Sequence, residues 1–333
     1  MRRMRSVHVL EFVRHRDGVW DLPLPLVEAL GRRFPSARFS SPRDQAEADR
    51  LLPEVEVVLG WALNRDNFAA ATKLEWVHVT AAGVGSVLFP EMVESPVVLT
   101  NSRGMHATSM AEHTLAVILA FARKLHLARD AQLERRWTQE SLWRDAPEIR
   151  DLAGSTLGLV GLGAVGSAIA VRARALGLRV LAVRRHPAAD PAPADEQWGP
   201  DGLSRLLAAA DWVVLATALT AETRRLIGAN ELERMRPGAV LVNLGRGSLV
   251  DETALVAALA RGRIAGAALD VFEEEPLPAE SPLWSMPHVI VTPHVSGVGP
   301  RYWERALELF ADNLERFLGG RPLMNVVDKR AGY

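Results

Sequence analysis

Short apolar, β-branched runs alternate with stretches of helical periodicity along almost the whole chain. That is the pattern of a parallel α/β sheet whose strands are buried on both faces. In the first hundred residues the strand-like runs are Val7–Phe12, Val55–Leu59, Trp76–Thr80 and Val97–Thr100. Leu24–Arg33 and Arg65–Thr72 read as helices between them. Five or so such units predict a small doubly wound domain. A long helical pattern follows from about Ser109 to Arg136, with Leu115, Ile118, Leu119, Ala122 and Leu125 at helical spacing. It is long enough to be broken into two, and it is the candidate for joining domains or subunits.

The second half opens a clearer series. Its strand-like runs are Thr156–Val160, Arg179–Val183, Trp212–Ala216, Ala239–Asn243, Ile264–Leu269 and His288–Val291. Asp251 is placed to cap a helix that runs to about Arg261, and Gly262 to end it. Pro187–Pro200, rich in Ala, Pro and Asp, reads as a surface loop. A last helix, about Arg301–Leu318, is too short to be a domain and is expected to pack back onto the first one. The chain therefore predicts two domains, the first discontinuous.

Composition changes this picture little but excludes much. The 333 residues carry a net charge of −1, with 48% hydrophobic and 24% charged residues. This balance argues against nucleic acid or an anionic membrane as a partner. The absence of cysteine excludes disulfides, Cys-ligated zinc, iron–sulfur clusters and a thiol nucleophile, and it fits a cytoplasmic protein. His8, His15, His78, His126, His186 and His288 show no metal-ligand spacing. The basic start, Met1–Arg5, leads into a run broken by His8 and Glu11, then by Arg14, His15, Arg16 and Asp17, so it reads as a first strand rather than a signal peptide. No run approaches the ~18 apolar residues of a membrane helix. Of the basic residues 36 are Arg and 3 are Lys, so only context makes any one Arg informative.

The first chemical motif is Gly161-Leu162-Gly163-Ala164-Val165-Gly166, a G-x-G-x-x-G between a strand and the helix Ala164–Leu176. Gly161 permits the tight turn, Gly163 lets the backbone approach a pyrophosphate, and Gly166 allows close helix packing. The amides of Leu162, Ala164 and Val165 complete an anion cradle at the helix start. The end of the second strand then bears on the cofactor. An NAD site usually has an acid there, but this chain has Arg184-Arg185 and no acid until Asp190. Two guanidinium groups suit a 2′-phosphate, so NADP(H) is favoured over NAD(H).

Three later strand ends carry Arg246, Glu275 and His294. An Arg binds a substrate carboxylate, a His moves a proton, and a Glu holds the imidazole, which together make a hydride-transfer site. Taken singly, each residue also reads as an ordinary loop or surface charge.

The order of these motifs resembles the D-isomer-specific 2-hydroxyacid dehydrogenases. The matching stretches are Ala111-Glu112-His113-Thr114, Leu157–Gly166, Leu219-Thr220-Ala221-Glu222-Thr223, Asn243-Leu244-Gly245-Arg246-Gly247, Leu269-Asp270-Val271-Phe272, Glu275-Pro276 and Thr292-Pro293-His294. The resemblance implies two doubly wound parallel-sheet domains. One is a flavodoxin-like substrate domain, residues 1–104 plus 296–333; the other is a Rossmann coenzyme domain, residues 105–295. It implies a nicotinamide-dependent reductase of a 2-oxo acid such as glyoxylate or hydroxypyruvate, bound in a cleft between domains. Arg246 would bind the substrate carboxylate and carbonyl, and Glu275 would pair with His294, the general acid/base. Asp270 would lie near the nicotinamide amide, and Thr217 in the loop beside the adenosine. The amides of Ala82, Gly83 and Val84 would receive the substrate carboxylate. A homodimer through the coenzyme domain and the long helix after residue 107 is expected.

Two departures from the family stand out: the basic pair Arg184-Arg185, and Ala218 where many members have Pro. His106 and Arg103 read equally as pocket or hinge residues, and His113 as a packed helix histidine. The alternative from another class is a dinucleotide-sensing, corepressor-like binding protein. The full Arg–Glu–His set and the lack of long disordered flanks count against it.

Overall fold

A computed structural model describes residues 6–15, 18, 20–145 and 148–333. The basic start, Arg16 and Asp17 lie outside these residues. The chain divides into two compact units, Met1–Met105 with Gly299–Tyr333, and His106–Val298. Both are α/β with wholly parallel sheets. Among the described residues no helix is long and apolar enough to cross a membrane.

Among the described residues the first unit holds five strands: β1 (Val7–Phe12), β2 (Ala37–Ser40), β3 (Val57–Gly60), β4 (Trp76–Val79) and β5 (Val98–Asn101). They lie in the order β2-β1-β3-β4-β5, the flavodoxin-like order. Apolar runs form central strands because helices cover both faces. One face is closed by Tyr302–Leu318, whose Leu307, Phe310, Ala311 and Leu314 pack with Val7, Val9 and Trp76. Phe310 stacks on Trp76 with ring centroids 5.2 Å apart. The chain then returns to the β5 edge, where Val327 N–H donates to Leu99 O at 2.8 Å. Lys329 Nζ ties Met92 O, Ser95 O and Val97 O together.

β2 has no counterpart among the sequence expectations, because an edge strand reading Ala-Arg-Phe-Ser lacks an apolar run. Arg65–Thr72, read as a helix, contains only a short turn at Phe68–Ala70. Asn64 and Asn67 explain this. Asn64 Oδ1 accepts from Asp66 N and Asn67 N, and Asn67 Oδ1 accepts from Asn64 N. Such local bonds compete with helix propagation.

The second unit holds β6 (Thr156–Val160), β7 (Arg179–Val183), β8 (Glu196–Trp198), β9 (Trp212–Leu215), β10 (Val240–Asn243), β11 (Gly266–Leu269) and β12 (Val289–Val291). Their order is β12-β11-β10-β9-β6-β7-β8, a Rossmann sheet with one strand beyond the six expected. The addition, β8, lies within Pro187–Pro200, which the sequence presents as a loop. It pairs with β7 in the register Val183↔Trp198. The strand order reverses at β6, and ligands of such sheets bind beyond the carboxyl ends at that point.

The long helical pattern is two helices, Ala107–Ala122 and Leu125–Leu133. They are separated at Lys124, which has a left-handed φ of 53°. The buried Lys124 ammonium donates to Leu142 O and Asp145 O. Asp251 caps Glu252–Ala260 by accepting from Ala254 N, and Gly262 follows with φ 65°.

Candidate active site

The Gly-rich turn leaves β6 at Gly161, where φ is 107° and an added Cβ would stand 2.5 Å from Ala216 O. Only glycine takes this position without displacing the neighbouring β9 loop. At Gly166 a Cβ would stand 2.1 Å from Gly161 O, so the helix Ala164–Ala175 is seated directly on the turn. A Cβ at Gly163 would meet nothing within 4 Å, and both Gly163 and Ala164 are exposed. This helix has no side-chain cap and no acid in its first turn. Its leading amides point outward with the positive end of the dipole. Open backbone, free amides and no competing acid fit a pyrophosphate.

Arg184 and Arg185 follow β7. Arg184 N–H donates to Trp198 O, so the unforeseen strand β8 fixes where the basic pair begins. Arg185 Nη2 lies 3.2 Å from Glu222 Oε2. Thr217 follows β9, and its carbonyl would be 2.9 Å from a Cβ on Gly245.

The loops after β10, β11 and β12 lie side by side because their strands do. After β10, the buried Asn243 side chain ties the turn. Its Nδ2 donates to Arg246 O at 2.9 Å, and its Oδ1 accepts from Gly245 N at 3.1 Å. Arg246 Nη1 donates to Gly245 O at 2.6 Å. Burial lowers the guanidinium pKa from its usual range, and the Glu275 carboxylate opposes that. At Gly247 a Cβ would lie 1.8 Å from Phe272 C, so the β10 and β11 loops touch backbone to backbone.

Glu275 uses both oxygens. Oε1 accepts from Phe272 N at 3.0 Å, and Oε2 lies 2.7 Å from His294 Nδ1. With Nδ1–H donating to the carboxylate, Nε2 is the nitrogen left for proton exchange. His294 is half-exposed and sits at a left-handed φ of 53°. Its conformation is held by Asp270, a fully buried acid beyond β11. Asp270 O accepts from His294 N at 2.9 Å. Its Oδ1 accepts from Thr292 Oγ1 at 2.6 Å and Val295 N at 2.9 Å, and its Oδ2 from Ser296 N at 2.9 Å. Asp270, which the resemblance puts near the nicotinamide amide, bonds through its carboxylate to the loop that carries His294.

Two histidines border this group. His113 Nε2 lies 3.4 Å from Thr292 Oγ1, and burial lowers its pKa against the opposing charge of Asp270. His106 Nδ1 lies 3.1 Å from Gly297 O. Burial lowers the His106 pKa too; the Gly297 bond opposes this, and the charge of Arg246 adds to it. Asn243 and Thr292 lie within quoted motifs, but residue type alone gives neither a role. Asn243 bonds within its own turn, whereas the partners of Thr292, Asp270 and His113, are brought close by the fold. In the first unit, Ala82 is exposed, Val84 is buried, and Asn101 Nδ2 donates to Ala82 O at 2.7 Å.

Residues 115–296 match the family model of the D-isomer specific 2-hydroxyacid dehydrogenase, NAD binding domain. The chain belongs to this family. It is similar to a glyoxylate reductase of Korarchaeum cryptofilum, 34% identical over 80% of each chain. A D-isomer specific 2-hydroxyacid dehydrogenase of Xanthobacter autotrophicus Py2, solved with NADPH and MES, superposes with a TM-score of 0.83. The two are 31% identical, and the match covers 98% of this chain and 100% of the other. An NADPH-dependent glyoxylate/hydroxypyruvate reductase of Sinorhizobium meliloti, solved with NADP and sulfate, gives a TM-score of 0.81. It is 29% identical, with 99% and 100% of the two chains covered. This member of the family is thus an oxidoreductase that moves hydride between a nicotinamide dinucleotide and a 2-oxo or 2-hydroxy acid.

Proposed function

We propose that this dehydrogenase is an NADPH-preferring reductase of small 2-oxo acids such as glyoxylate and hydroxypyruvate. The observation that carries the acid–base chemistry is the 2.7 Å contact between His294 Nδ1 and Glu275 Oε2. In the reductive direction His294 gives the proton on Nε2 to the carbonyl oxygen, and Glu275 holds the resulting imidazole in place. Arg246 binds the carboxylate and stabilises charge developing on the oxygen. The amides of Gly161–Gly166 hold the pyrophosphate, Arg184 and Arg185 hold the 2′-phosphate, and Thr217 lies beside the adenosine. When bound, the nicotinamide supplies the hydride. Asp270 is a positioning residue, because its carboxylate holds the His294 loop. For Ala82, Gly83 and Val84 we propose anion reception through main-chain amides.

The names of the similar reductases and the NADP in two similar structures support this reading. Its test is steady-state turnover of a 2-oxo acid panel with both cofactors, on the wild type and His294→Ala. Glyoxylate or hydroxypyruvate should be reduced with the higher kcat/KM for NADPH, and the variant should lose about 10²–10⁴ in kcat. A higher kcat/KM with NADH would sink the cofactor preference. Silence on every 2-oxo acid would sink the substrate class, and near-normal turnover by the variant would remove His294 from the mechanism.

We also propose a homodimer built on the second unit. Leu133 in the second of the two helices, Trp137 just after it and Trp143 in the short helix Gln139–Arg144 are exposed, Trp137 at 90%. A set of large apolar side chains of this kind marks an interaction surface. Sedimentation at micromolar protein should give twice the chain mass, and Trp137→Glu should shift it toward one. A wild type that sediments as a single chain would overturn the proposal.

A further inference from the structure

The basic pair after β7 meets an acid from another loop. β6, which carries the Gly-rich turn, lies between β7 and β9. Neighbouring strands stand about 4.8 Å apart, so the ends of β7 and β9 are separated by about 10 Å. Arg185 and Glu222 bridge that gap with their 3.2 Å contact. Glu222 is largely exposed, and its Oε2 has a second partner. Thr220 Oγ1 donates to the same Oε2 at 2.7 Å. The loop is itself tied, with Thr220 N donating to Thr223 Oγ1 and Thr223 Oγ1 to Ala218 O, each at 2.7 Å. The hydroxyl bond first, and the Arg185 charge after it, keep this carboxyl below the usual carboxylate range.

We propose that Glu222 narrows this enzyme's preference for NADPH over NADH by competing with a 2′-phosphate for Arg185. The inference rests on the reading that Arg184 and Arg185 face the 2′ position. A phosphate monoester carries about −1.5 to −2 at neutral pH, which two guanidinium groups balance. With Glu222 present the cluster is left negative, and Glu222 occupies part of the Arg185 donor fork. Preference for NADPH is therefore held down, and NADH remains usable.

Glu222→Gln tests this, because the amide oxygen keeps an acceptor for Thr220 while the charge is lost. Calorimetric titration with NADP+, NAD+ and 2′,5′-ADP reads the effect without turnover. NADP+ and 2′,5′-ADP should bind roughly two- to five-fold more tightly, the range set by an exposed ion pair. NAD+ should gain nothing. The gain should shrink at 0.5 M salt and vanish in an Arg185→Ala background. An NADP+/NAD+ affinity ratio equal to that of the wild type overturns the role of Glu222. If Arg184→Ala and Arg185→Ala also leave NADP+ binding intact, the 2′-phosphate reading falls with it. If those two weaken NADP+ binding and Glu222→Gln changes nothing, only Glu222 is lost.

Discussion

Asp270 concentrates the logic of the site in one side chain. It accepts three hydrogen bonds, two of them from backbone amides of the segment that carries His294. An asparagine has one acceptor oxygen in place of two, so at least one amide of Val295 or Ser296 loses its partner. An unpaired buried group costs about 1–3 kcal/mol. Asp270→Asn should therefore lower kcat about tenfold or more while leaving the KM for the dinucleotide near that of the wild type. A variant whose cofactor KM rises and whose kcat holds would give Asp270 a cofactor contact instead. Steady-state kinetics with the cofactor varied separates the two. At this scale, Arg246, Glu275 and His294 are legible because few residue types move protons or bind carboxylates, and these stand at strand ends. The roles of Asn243 and Thr292 are illegible in the sequence. Short polar side chains bond to whatever lies near them: for Asn243 that is set by the conformation of its own turn, and for Thr292 by the neighbouring strand end.

Elements are legible where apolar runs are long, including the edge strands β5 and β12, and illegible at the two polar edge strands β2 and β8. β2 and β8 each have one strand neighbour, bury little, and contain Arg38 or Glu196-Gln197 where a central strand has Val or Leu. The break at Lys124 has a similar cause. A left-handed lysine is paid for by the carbonyls that its ammonium caps, and those come from a segment 18–21 residues later. The Gly-rich turn was legible because glycine spacing records backbone contact directly. Gly166→Ala tests that contact, since the new methyl would sit 2.1 Å from Gly161 O. The turn must then move, at a cost of about 1–3 kcal/mol in stability. Dinucleotide affinity should fall at least tenfold, measured by titration beside a thermal melt. Unaltered affinity would mean that the helix start does not depend on this seat.

The whole molecule carries a latent acid sensitivity in its first unit. His78 is fully buried against Thr100 and Ser102, and burial pushes its pKa down to about 3. The unfolded value is about 6.5, so below that pH the unfolded chain binds a proton that the folded chain refuses. Stability therefore falls as pH drops from 6.5 toward 3, by about 1.4 kcal/mol per unit. His8, His106, His113 and His126 are lowered by burial in the same direction. Between pH 7 and 5 the wild type should lose about 2 kcal/mol more than His78→Asn, read from urea unfolding. Equal slopes would remove His78 as the source. Fold class was legible at this scale because alternation of strand and helix is a property of the entire chain. The part played by Tyr302–Leu318 in closing one face of the first sheet has a further consequence in the making of the protein. Trp76 leaves the ribosome some 240 residues before the helix that covers it, a wait on the order of ten to fifty seconds at usual elongation rates. The second unit has its full sequence while the first still shows a bare apolar face. The newborn chain thus needs protection from its neighbours longest at its oldest end.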